Sequence, residues 1–378
     1  MVLVDDLARS TGPIRFTRLE LFRVAIAMRE PFRISSGEVA CKEAALLRAW
    51  DGDVFGWGES SAMPGGFYSS ETPDSCWREL TDTVLPALIG RDREFPHVAA
   101  LDAWLRDHTT TPFVRVAVET AAWEMIARAR GQSLRALFGL ADRPIPSGLA
   151  VGLYDDLDGL RAALDRYGPR DYQRLKIKIK RGYDVDLVRA VREWLPEVPL
   201  FVDANADYTR DDLDIFRELD RDGLVMFEQP FGKHDLETSA ELQGIARTPV
   251  CLDESIDSVE SARAALDLGA CRIVNIKLQR VGGFLEALRV IELCASRGVP
   301  VWMGTMPELG VGSAQALVLA SHPSCRFPTD VEPSERWYVD DVLSPPLRLD
   351  RGHLHLPAGP GLGFNMVIPD GERATFGS

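Results

Sequence analysis

Short apolar stretches recur along the chain from about Ile145 to Phe327, and each is followed by a segment with the apolar spacing of an amphipathic helix. This alternation is typical of βα units around a parallel sheet. Because the units recur evenly and no GxGxxG motif follows the first stretch, the pattern favours a closed barrel over an open doubly wound sheet. The predicted strands cover 146–153, 175–180, 200–205, 225–230, 250–255, 273–278 and 299–304, with a last strand near Phe327.

The first part of the chain has a different pattern. It predicts strands over 15–26, 42–50 and 53–58, and the short Asp51-Gly52 turn between the last two predicts an antiparallel hairpin. Helical spacing follows over 71–88, 97–107 and 113–130, with Pro112 just before the last helix. These segments indicate a separate α+β unit that ends near Gly139.

Composition argues against several classes of protein. The 378 residues are 46% apolar and 26% charged, which is ordinary for a globular protein with two domains or one domain and a satellite. No apolar run approaches the roughly 18 residues that cross a bilayer, and the first residues do not resemble a secretory signal. We therefore expect a cytoplasmic protein with no membrane partner. The net charge of −14 argues against nucleic acid as a partner, and the six cysteines, none in a CxxC motif, are expected to be reduced.

Charged residues end five consecutive predicted strands at almost constant spacing. They are Lys178, Asp203, Glu228, Asp253 and Lys277. A charge at the end of an apolar strand is costly to bury unless it is paired or bound to a metal. In a parallel barrel the carboxyl ends of all strands meet at one mouth, where active sites lie, so we expect these side chains to share one pocket.

The residue types in this pocket indicate a metal-assisted proton transfer. Three carboxylates on neighbouring strands offer hard oxygen ligands, which suit Mg²⁺ or Mn²⁺ better than zinc. Lys176 and Lys178 share one face of their strand, and Lys277 approaches from the far side of the mouth. A positive charge beside Lys178 favours its neutral amine, the form that can accept a proton from the α-carbon of a metal-held carboxylate.

Each of these residues also has a structural interpretation. A single Asp or Glu after a strand is commonly a helix N-cap or part of a loop salt bridge, and a single Lys there is usually solvated. Five such residues together favour a site. Lys180 extends the alternation of Lys176 and Lys178, so spacing alone leaves open which two of the three lysines face the pocket.

Several motifs resemble one known group of enzymes. They are Arg174-Leu-Lys-Ile-Lys-Ile, Val202-Asp-Ala-Asn, Phe227-Glu-Gln-Pro, Cys251-Leu-Asp-Glu-Ser, Val274-Asn-Ile-Lys and Arg280-Val-Gly-Gly-Phe. In this order they resemble the muconate-lactonizing-enzyme subgroup of the enolase superfamily, and within it the o-succinylbenzoate synthase / N-succinylamino acid racemase family. The likeness extends over nearly the whole chain.

The resemblance implies a fold and its division into parts. It implies an α/β fold, a modified TIM barrel of the (β/α)7β type with an α+β capping domain. The capping domain is expected over 1–140, the barrel over 141–345, and a segment that returns to the cap over 346–378. Gly182 and Asp184 match the family pattern Lys-x-Lys-x-x-Gly-x-Asp, which assigns the two pocket lysines as Lys176 and Lys178.

The resemblance also implies roles for individual residues. The metal ligands for Mg²⁺ or Mn²⁺ would be Asp203, Glu228 and Asp253. The acid/base pair would be Lys178 and Lys277, and Lys176 would favour the neutral amine of Lys178. Further residues near the metal or the substrate would be Asn205, Glu254, Arg280, Glu308, Phe32, Ser35 and Tyr68. Arg280 matches an arginine associated with members that racemise. The partner would be a small carboxylate substrate, and we expect a homo-oligomer.

The activity implied is removal of the proton α to a carboxylate, with stabilisation of the resulting enediolate. The enediolate then leads to dehydration, as in an o-succinylbenzoate synthase, to racemisation of an N-succinyl or other N-acylamino acid, or to both. Alternatives are muconate cycloisomerisation, dipeptide epimerisation and a non-catalytic ligand-binding relative. The chain departs from the family at Leu278-Gln279, where Pro-Gly is common, and in the loop 304–310, so the pocket wall is expected to differ.

Overall fold

The amino-terminal part is built on an antiparallel sheet and the helices that cover it. The computed structural model describes residues 3–34, 37–66, 68–89 and 94–377. A π-helical turn, Leu80–Val84, joins the second and third helices. The elements of this part are α1 (Val4–Arg9), β1 (Ile14–Arg15), β2 (Arg18–Ile34), β3 (Gly37–Asp51), β4 (Val54–Ser60), α2 (Pro73–Glu79), α3 (Leu85–Leu88), β5 (Glu94–Phe95), α4 (Val98–His108), α5 (Pro112–Ala129) and α6 (Leu134–Leu137).

The predicted hairpin is present between β3 and β4, which pair antiparallel from Asp51↔Val54 to Ala45↔Ser60. Gly52 turns the chain with a φ of 58°, a left-handed value that glycine adopts readily. Strand β2 is longer than its predicted range, because the alternation of buried and exposed residues continues beyond Ile26 to Ile34. Helix α1 was not predicted from the sequence.

The second part is a sheet of seven parallel strands, in which each strand pairs with the next one along the chain and helices lie between them. Its elements are β6 (Ile145–Pro146), β7 (Leu149–Val151), α7 (Leu157–Tyr167), β8 (Leu175–Lys178), α8 (Val185–Trp194), β9 (Leu200–Asp203), α9 (Leu213–Leu219), β10 (Phe227–Glu228), α10 (Leu236–Ile245), β11 (Val250–Leu252), α11 (Val259–Leu268), β12 (Ile273–Ile276), α12 (Leu278–Val281), α13 (Phe284–Ser296), β13 (Val301–Met303) and α14 (Gly310–Ala320).

An irregular eighth segment lies between the two outer strands of this sheet. Val301 forms a parallel bridge with Cys325, and Ser147 forms one with Thr329. The segment thus closes the sheet into a curled barrel, which confirms the predicted fold class. Inside the barrel a second apolar cluster fills the interior, with the indole of Trp302 donating to the sulfur of Cys251 at 3.3 Å.

The carboxyl-terminal part returns to both of the earlier parts. Strand β15 pairs with β6 beside the barrel, and the last strand, β17, pairs antiparallel with β2. The four-stranded sheet therefore has the order β17-β2-β3-β4. The elements are α15 (Ser334–Trp337), β14 (Leu343–Ser344), β15 (His353–Leu354), β16 (Asn365–Met366) and β17 (Arg373–Gly377). None of the helices in the described ranges is both long enough and apolar enough to span a membrane.

Helix α5 packs directly on β4, and two glycines allow this close approach. A Cβ atom on Gly58 would lie 1.8 Å from the carbonyl oxygen of Ala117, and one on Gly56 would lie 2.1 Å from that of Ala121. Helix α5 is buried along almost its whole length. Because the obstructing atoms belong to the backbone, a larger residue cannot be accommodated by a side-chain rotation.

We expect Gly58→Ala to lower the free energy of unfolding by about 3 kcal/mol, since overpacking a tight core forces the backbone apart. The thermal midpoint of unfolding, followed by circular dichroism, measures this loss. Gly244→Ala is the matched control: Gly244 lies in α10, and no atom of the described residues lies within 4 Å of the added Cβ, so the variant should change the midpoint little or raise it. An unchanged midpoint for Gly58→Ala would contradict the close packing of α5 on β4.

Candidate active site

The barrel strands bring the predicted charged residues to one mouth. Lys178, Asp203 and Glu228 are register partners at the ends of β8, β9 and β10. Asp253 follows β11 and Lys277 follows β12, and all five side chains are buried. The burial of five charges among apolar strands requires that each find a partner of opposite charge or a bound ion.

Lys176 and Lys178 both face the mouth, whereas Lys180 is exposed and pairs its backbone with Tyr183. The structure thus excludes Lys180 from the pocket, an alternative that spacing had left open. The amino group of Lys178 lies 2.5 Å from the Oδ2 atom of Asp203. Burial would raise the pKa of Asp203, but the two neighbouring lysines outweigh burial and lower it.

Lys176 lies among several carboxylates. Its amino group donates to Asp330, and it lies 3.2 Å from Oε2 of Glu228 and 3.5 Å from Oδ2 of Asp203. Burial would lower the pKa of Lys176, but its carboxylate neighbours outweigh burial and raise that pKa well above its ordinary value. Lys176 is therefore a permanent positive charge at the base of the pocket. Asp330 also accepts a hydrogen bond from Arg174, so one carboxylate binds both cations.

Asp253 forms a second charged group on the other side of the mouth. Its Oδ2 atom lies 2.9 Å from the amino group of Lys277, and its Oδ1 atom accepts from Arg280 at 2.6 Å. Burial would raise the pKa of Asp253, but these two cations hold it well below its usual range. Tyr68, from the amino-terminal part, accepts from Lys277 at 3.0 Å and from Arg280.

Glu228 lies between the charged groups around Asp203 and Asp253, and fewer positive charges balance its carboxylate. Burial, together with the negative charge of Asp203, raises the pKa of Glu228 to about 8. Its Oε1 atom accepts from the amide of Asn275 at 2.7 Å. Sequence reasoning did not assign a role to Asn275, although the two-residue period of a strand places it on the same face as Lys277.

Left-handed backbone conformations occur where the strands β9 and β10 end. Asn205, Ala206 and Gln229 have φ values of 43°, 65° and 37°, which are rare for residues other than glycine and are commonly retained at functional sites. The side chain of Asn205 donates to Oε1 of Glu254 at 3.0 Å, and its backbone N–H donates to Oδ1 of Asp203 at 3.0 Å. These bonds connect the ends of β9 and β11.

Gln229 orders the loop that carries Asp253, a role that sequence reasoning missed. Its Oε1 atom accepts from the backbone of Asp253 at 2.9 Å and of Ser255 at 3.2 Å. Its amide nitrogen donates to the carbonyl of Phe231 at 2.8 Å. The motif Phe227-Glu-Gln-Pro contains this residue, but its contacts depend on a backbone conformation that the sequence pattern does not reveal.

The carboxylates of the mouth bear on whether a divalent cation could bind there. No group of three or more His, Cys, Asp or Glu side chains within the described ranges is arranged to hold a metal ion, because Asp203 and Asp253 are turned onto lysine and arginine groups. The chemistry of the donors nevertheless fits: three buried carboxylates at adjacent strand ends carry oxygen ligands of the kind that Mg²⁺ prefers. Beside them, Oδ1 of Asn205 and Oε2 of Glu254 are buried and have no hydrogen-bond partner among the residues that the structure describes.

Glu308 lies where the loop after β13 meets the amino-terminal part. It accepts from the backbone of Met306 at 3.2 Å, and burial raises its pKa. Nearby, Glu59 accepts from the backbone N–H groups of Leu309 and Gly312 at the start of α14. Lys42 is fully buried in the same region, and burial lowers its pKa to about 8. Sequence reasoning did not find Lys42 or Glu59, which are distant in sequence from the barrel motifs.

The remaining predicted residues are placed as follows. Phe32 is half-buried and packs edge-on against Trp337, with ring centroids 5.1 Å apart. Ser35 lies outside the described residues. A cavity of about 40 Å³ at the mouth is bordered by Lys178, Lys277 and Tyr68 among others. Tyr68 also borders a neighbouring cleft of about 600 Å³.

Comparisons with known proteins agree with this geometry. The model of the mandelate racemase / muconate lactonizing enzyme N-terminal domain matches residues 17–139, and the enolase C-terminal domain-like model matches residues 157–370. The chain is 38% identical to an o-succinylbenzoate synthase of Geobacillus kaustophilus over 94% of both chains. It is 41% identical to an N-succinylamino acid racemase of Amycolatopsis sp, covering 93% of this chain and 95% of that one.

A solved structure of the same superfamily is also similar to this chain. A member of the enolase superfamily from Listeria innocua matches with a TM-score of 0.89 and 32% identity, covering 96% of this chain and 98% of that one. The two domain models together span most of the sequence, and the relatives above exceed 30% identity over nearly their whole length. The chain therefore belongs to the mandelate racemase / muconate lactonizing enzyme family of the enolase superfamily.

Proposed function

We propose that this protein removes the proton α to a carboxylate of a small substrate, as an o-succinylbenzoate synthase, an N-succinylamino acid racemase, or both. The observation that carries the proposal is the pair Lys178, at the end of β8, and Lys277, just after β12, which lie on opposite sides of a buried group of carboxylates. Enzymes of this family act on small carboxylate substrates, and the relatives carry these two names. The cytoplasmic location and the homo-oligomer expected from the sequence remain predictions.

We further propose that Asp203, Glu228 and Asp253 hold a divalent cation, Mg²⁺ or Mn²⁺. Members of the enolase superfamily generally depend on a divalent metal. Burial and repulsion by Asp203 raise the pKa of Glu228 to about 8, and a cation bound beside it would favour its ionised form. When bound, the cation would supply positive charge against the substrate carboxylate and the negative charge that develops on it.

The lysines then have different tasks. Lys178 and Lys277 lie on opposite sides of the position expected for the α-carbon, so one can remove the proton while the other protonates the opposite face. Dehydration requires one base, because the proton is removed from the α-carbon and the hydroxyl group departs from the neighbouring carbon. Lys176 retains its proton among three carboxylates and contributes fixed positive charge.

Two features of the chain favour this family over its alternatives. Dipeptide epimerases of the superfamily typically carry an Asp-x-Asp motif in the last barrel segment, and neither the loop 304–312 nor the closing segment 325–332 contains one. A non-catalytic relative is expected to lack a lysine or a carboxylate of the pocket, whereas all five residues are present. The experiment that decides the function is incubation with N-succinylamino acids in D₂O, followed by mass spectrometry and chiral chromatography.

Removal of metal is expected to abolish activity. Three buried carboxylates repel one another and the substrate, so treatment with EDTA should stop α-proton exchange, and Mg²⁺ or Mn²⁺ should restore it. A cation at 100 times its Kd should also stabilise the native protein by about 2.7 kcal/mol, measured as a rise in thermal midpoint. Asp253→Asn should weaken this effect, whereas Glu20→Gln, in the antiparallel sheet, should not. Full activity in EDTA would rule out the metal site.

The two lysines should be separable by stereochemistry. Lys178→Ala and Lys277→Ala should each lose racemisation, while each retains deuterium exchange with one enantiomer, and the retained enantiomer should differ between them. Lys180→Ala is the matched control, because this lysine lies two residues beyond the same strand and is exposed, and the variant should racemise normally. Exchange of both enantiomers by either alanine variant would contradict the opposed arrangement of the two lysines.

Arg280 is expected to matter more for racemisation than for dehydration. Asp253 raises the pKa of Lys277, and the positive charge of Arg280 counteracts this effect. Arg280→Met should therefore keep Lys277 protonated to higher pH, reducing exchange on its face and shifting that pH profile upward.

Dehydration of the o-succinylbenzoate synthase substrate needs one base and should fall much less. Arg280→Lys, which retains the charge, should recover part of the racemase rate. Equal losses in both reactions would show that Arg280 has a purely structural role.

A further inference from the structure

Gln279 is the second residue of α12, between Lys277 and Arg280, and it is almost fully buried at 1% exposure. A buried amide is costly unless its donor and its acceptor are both satisfied. The contacts of Gln279 therefore indicate what this side chain does.

Both ends of the amide bind the edge of the antiparallel sheet. The nitrogen of Gln279 donates to the carbonyl of Glu59 at 2.9 Å, and its oxygen accepts from the N–H of Ser61 at 2.9 Å. Strand β4 is the last strand of its sheet, so these backbone groups lie on its open edge. The side chain thus takes the place that a neighbouring strand would occupy.

Three other side chains bind backbone groups in and just after β4. Trp57 donates its N–H to Glu124 of α5 at 2.6 Å, and its carbonyl accepts from Gln315 of α14 at 2.9 Å. Lys42 donates to the carbonyl of Ser61 at 2.9 Å. Among these contacts, the one made by Gln279 joins the edge to the turn between Lys277 and Arg280.

That turn is fixed at its far end as well. Gly282 and Gly283 follow α12 with φ values of 91° and 142°, and a Cβ on Gly283 would lie 2.5 Å from the carboxylate of Glu119. Glu119, on α5, accepts from the backbone of Phe284 at 2.8 Å at the start of α13. The amino-terminal part therefore holds α12 at two points, through Gln279 and through Glu119.

The position of α12 determines where two charged groups of the mouth lie. Lys277 is its N-cap residue, and the backbone N–H of Arg280 donates to the carbonyl of Lys277 at 3.0 Å. The side chains of both residues bind Asp253, and both contact Tyr68 from the amino-terminal part. A displacement of α12 would move Lys277 relative to Asp253 and would leave Lys178, on β8, in place.

We propose that Gln279 is a positioning residue that ties the open edge of β4 to the turn bearing Lys277 and Arg280, and so sets the efficiency of proton transfer on the Lys277 face. The inference rests on the proposed function for its chemistry. It adds a specificity-determining residue, because the balance between the two lysine faces decides how well the protein racemises. Proton transfer is sensitive to displacements of about 1 Å, so loss of this tie should have a kinetic effect.

The test uses Gln279→Met, which keeps the length of the side chain and removes both hydrogen bonds. Deuterium exchange into each enantiomer of an N-succinylamino acid is measured with the metal-loaded protein. Exchange on the Lys277 face, defined as the enantiomer whose exchange Lys277→Ala loses, should fall by roughly tenfold or more relative to the other face. Gln315→Met is the matched control, because it removes a buried amide bond to the same edge of β4 and should leave the ratio of faces unchanged.

A second measurement does not require activity. Hydrogen–deuterium exchange of the backbone, followed by mass spectrometry, should show faster exchange in peptides covering 277–283 for Gln279→Met and not for Gln315→Met. If Gln279→Met does not fold, Gln279→Glu replaces it, since it retains the shape and loses the donor to Glu59.

Several outcomes of these two measurements would contradict the proposed role of Gln279. An unchanged ratio of faces in an otherwise active protein, or unchanged backbone protection over 277–283, would overturn it. Equal losses on both faces in both variants would also overturn it and assign Gln279 a general packing role. If the unmodified protein exchanges no N-acylamino acid with metal present, the proposed function fails, and backbone protection alone then decides whether Gln279 positions the turn.

Discussion

The mouth of the barrel depends on the compensation of buried charge. Asp203, Glu228 and Asp253 are removed from water at the ends of apolar strands, where an unpaired carboxylate would cost several kcal/mol. Lysines from β8 and the residue after β12 balance most of this charge on opposite sides of the mouth. The arrangement places a basic group on each side of one acidic centre, which is the geometry that proton transfer at an α-carbon needs. Stability and chemistry therefore depend on the same ion pairs.

The amino-terminal part contributes more than a cover to this centre. Its sheet ends in β4, whose backbone groups are buried against the barrel and satisfied by side chains such as Gln315 and Gln279. Glu59, at the end of β4, in turn accepts from the N–H groups at the start of α14. Since an unsatisfied buried backbone group is costly, these bonds make the relative position of the two parts specific. Tyr68 can then reach Lys277 with a defined geometry.

The sequence predicted the barrel and the five charged residues because both leave local signals. Apolar strands are short and evenly spaced, and a charged residue at their ends is conspicuous. The strand predictions ran too long where the apolar pattern continues past the hydrogen-bonded ladder, as at Leu278, where the four-residue helix α12 has no periodicity to reveal it. Asp330 and Lys42 were missed for another reason: their partners lie far away in sequence, and such contacts leave no local pattern.

The two lysines of β8 differ in their ionic partners, although their spacing in the sequence does not distinguish their roles. Lys176 and Lys178 have the same residue type, the same strand face and similar burial. Lys176 contacts carboxylates from three different segments, including Asp330. Lys178 has an ion pair with Asp203 alone among the described residues. Removing a proton from Lys176 would leave several buried carboxylates uncompensated, whereas removing one from Lys178 affects a single partner. The number of ionic partners, rather than position along the strand, therefore favours Lys178 as the group that exchanges a proton with the substrate.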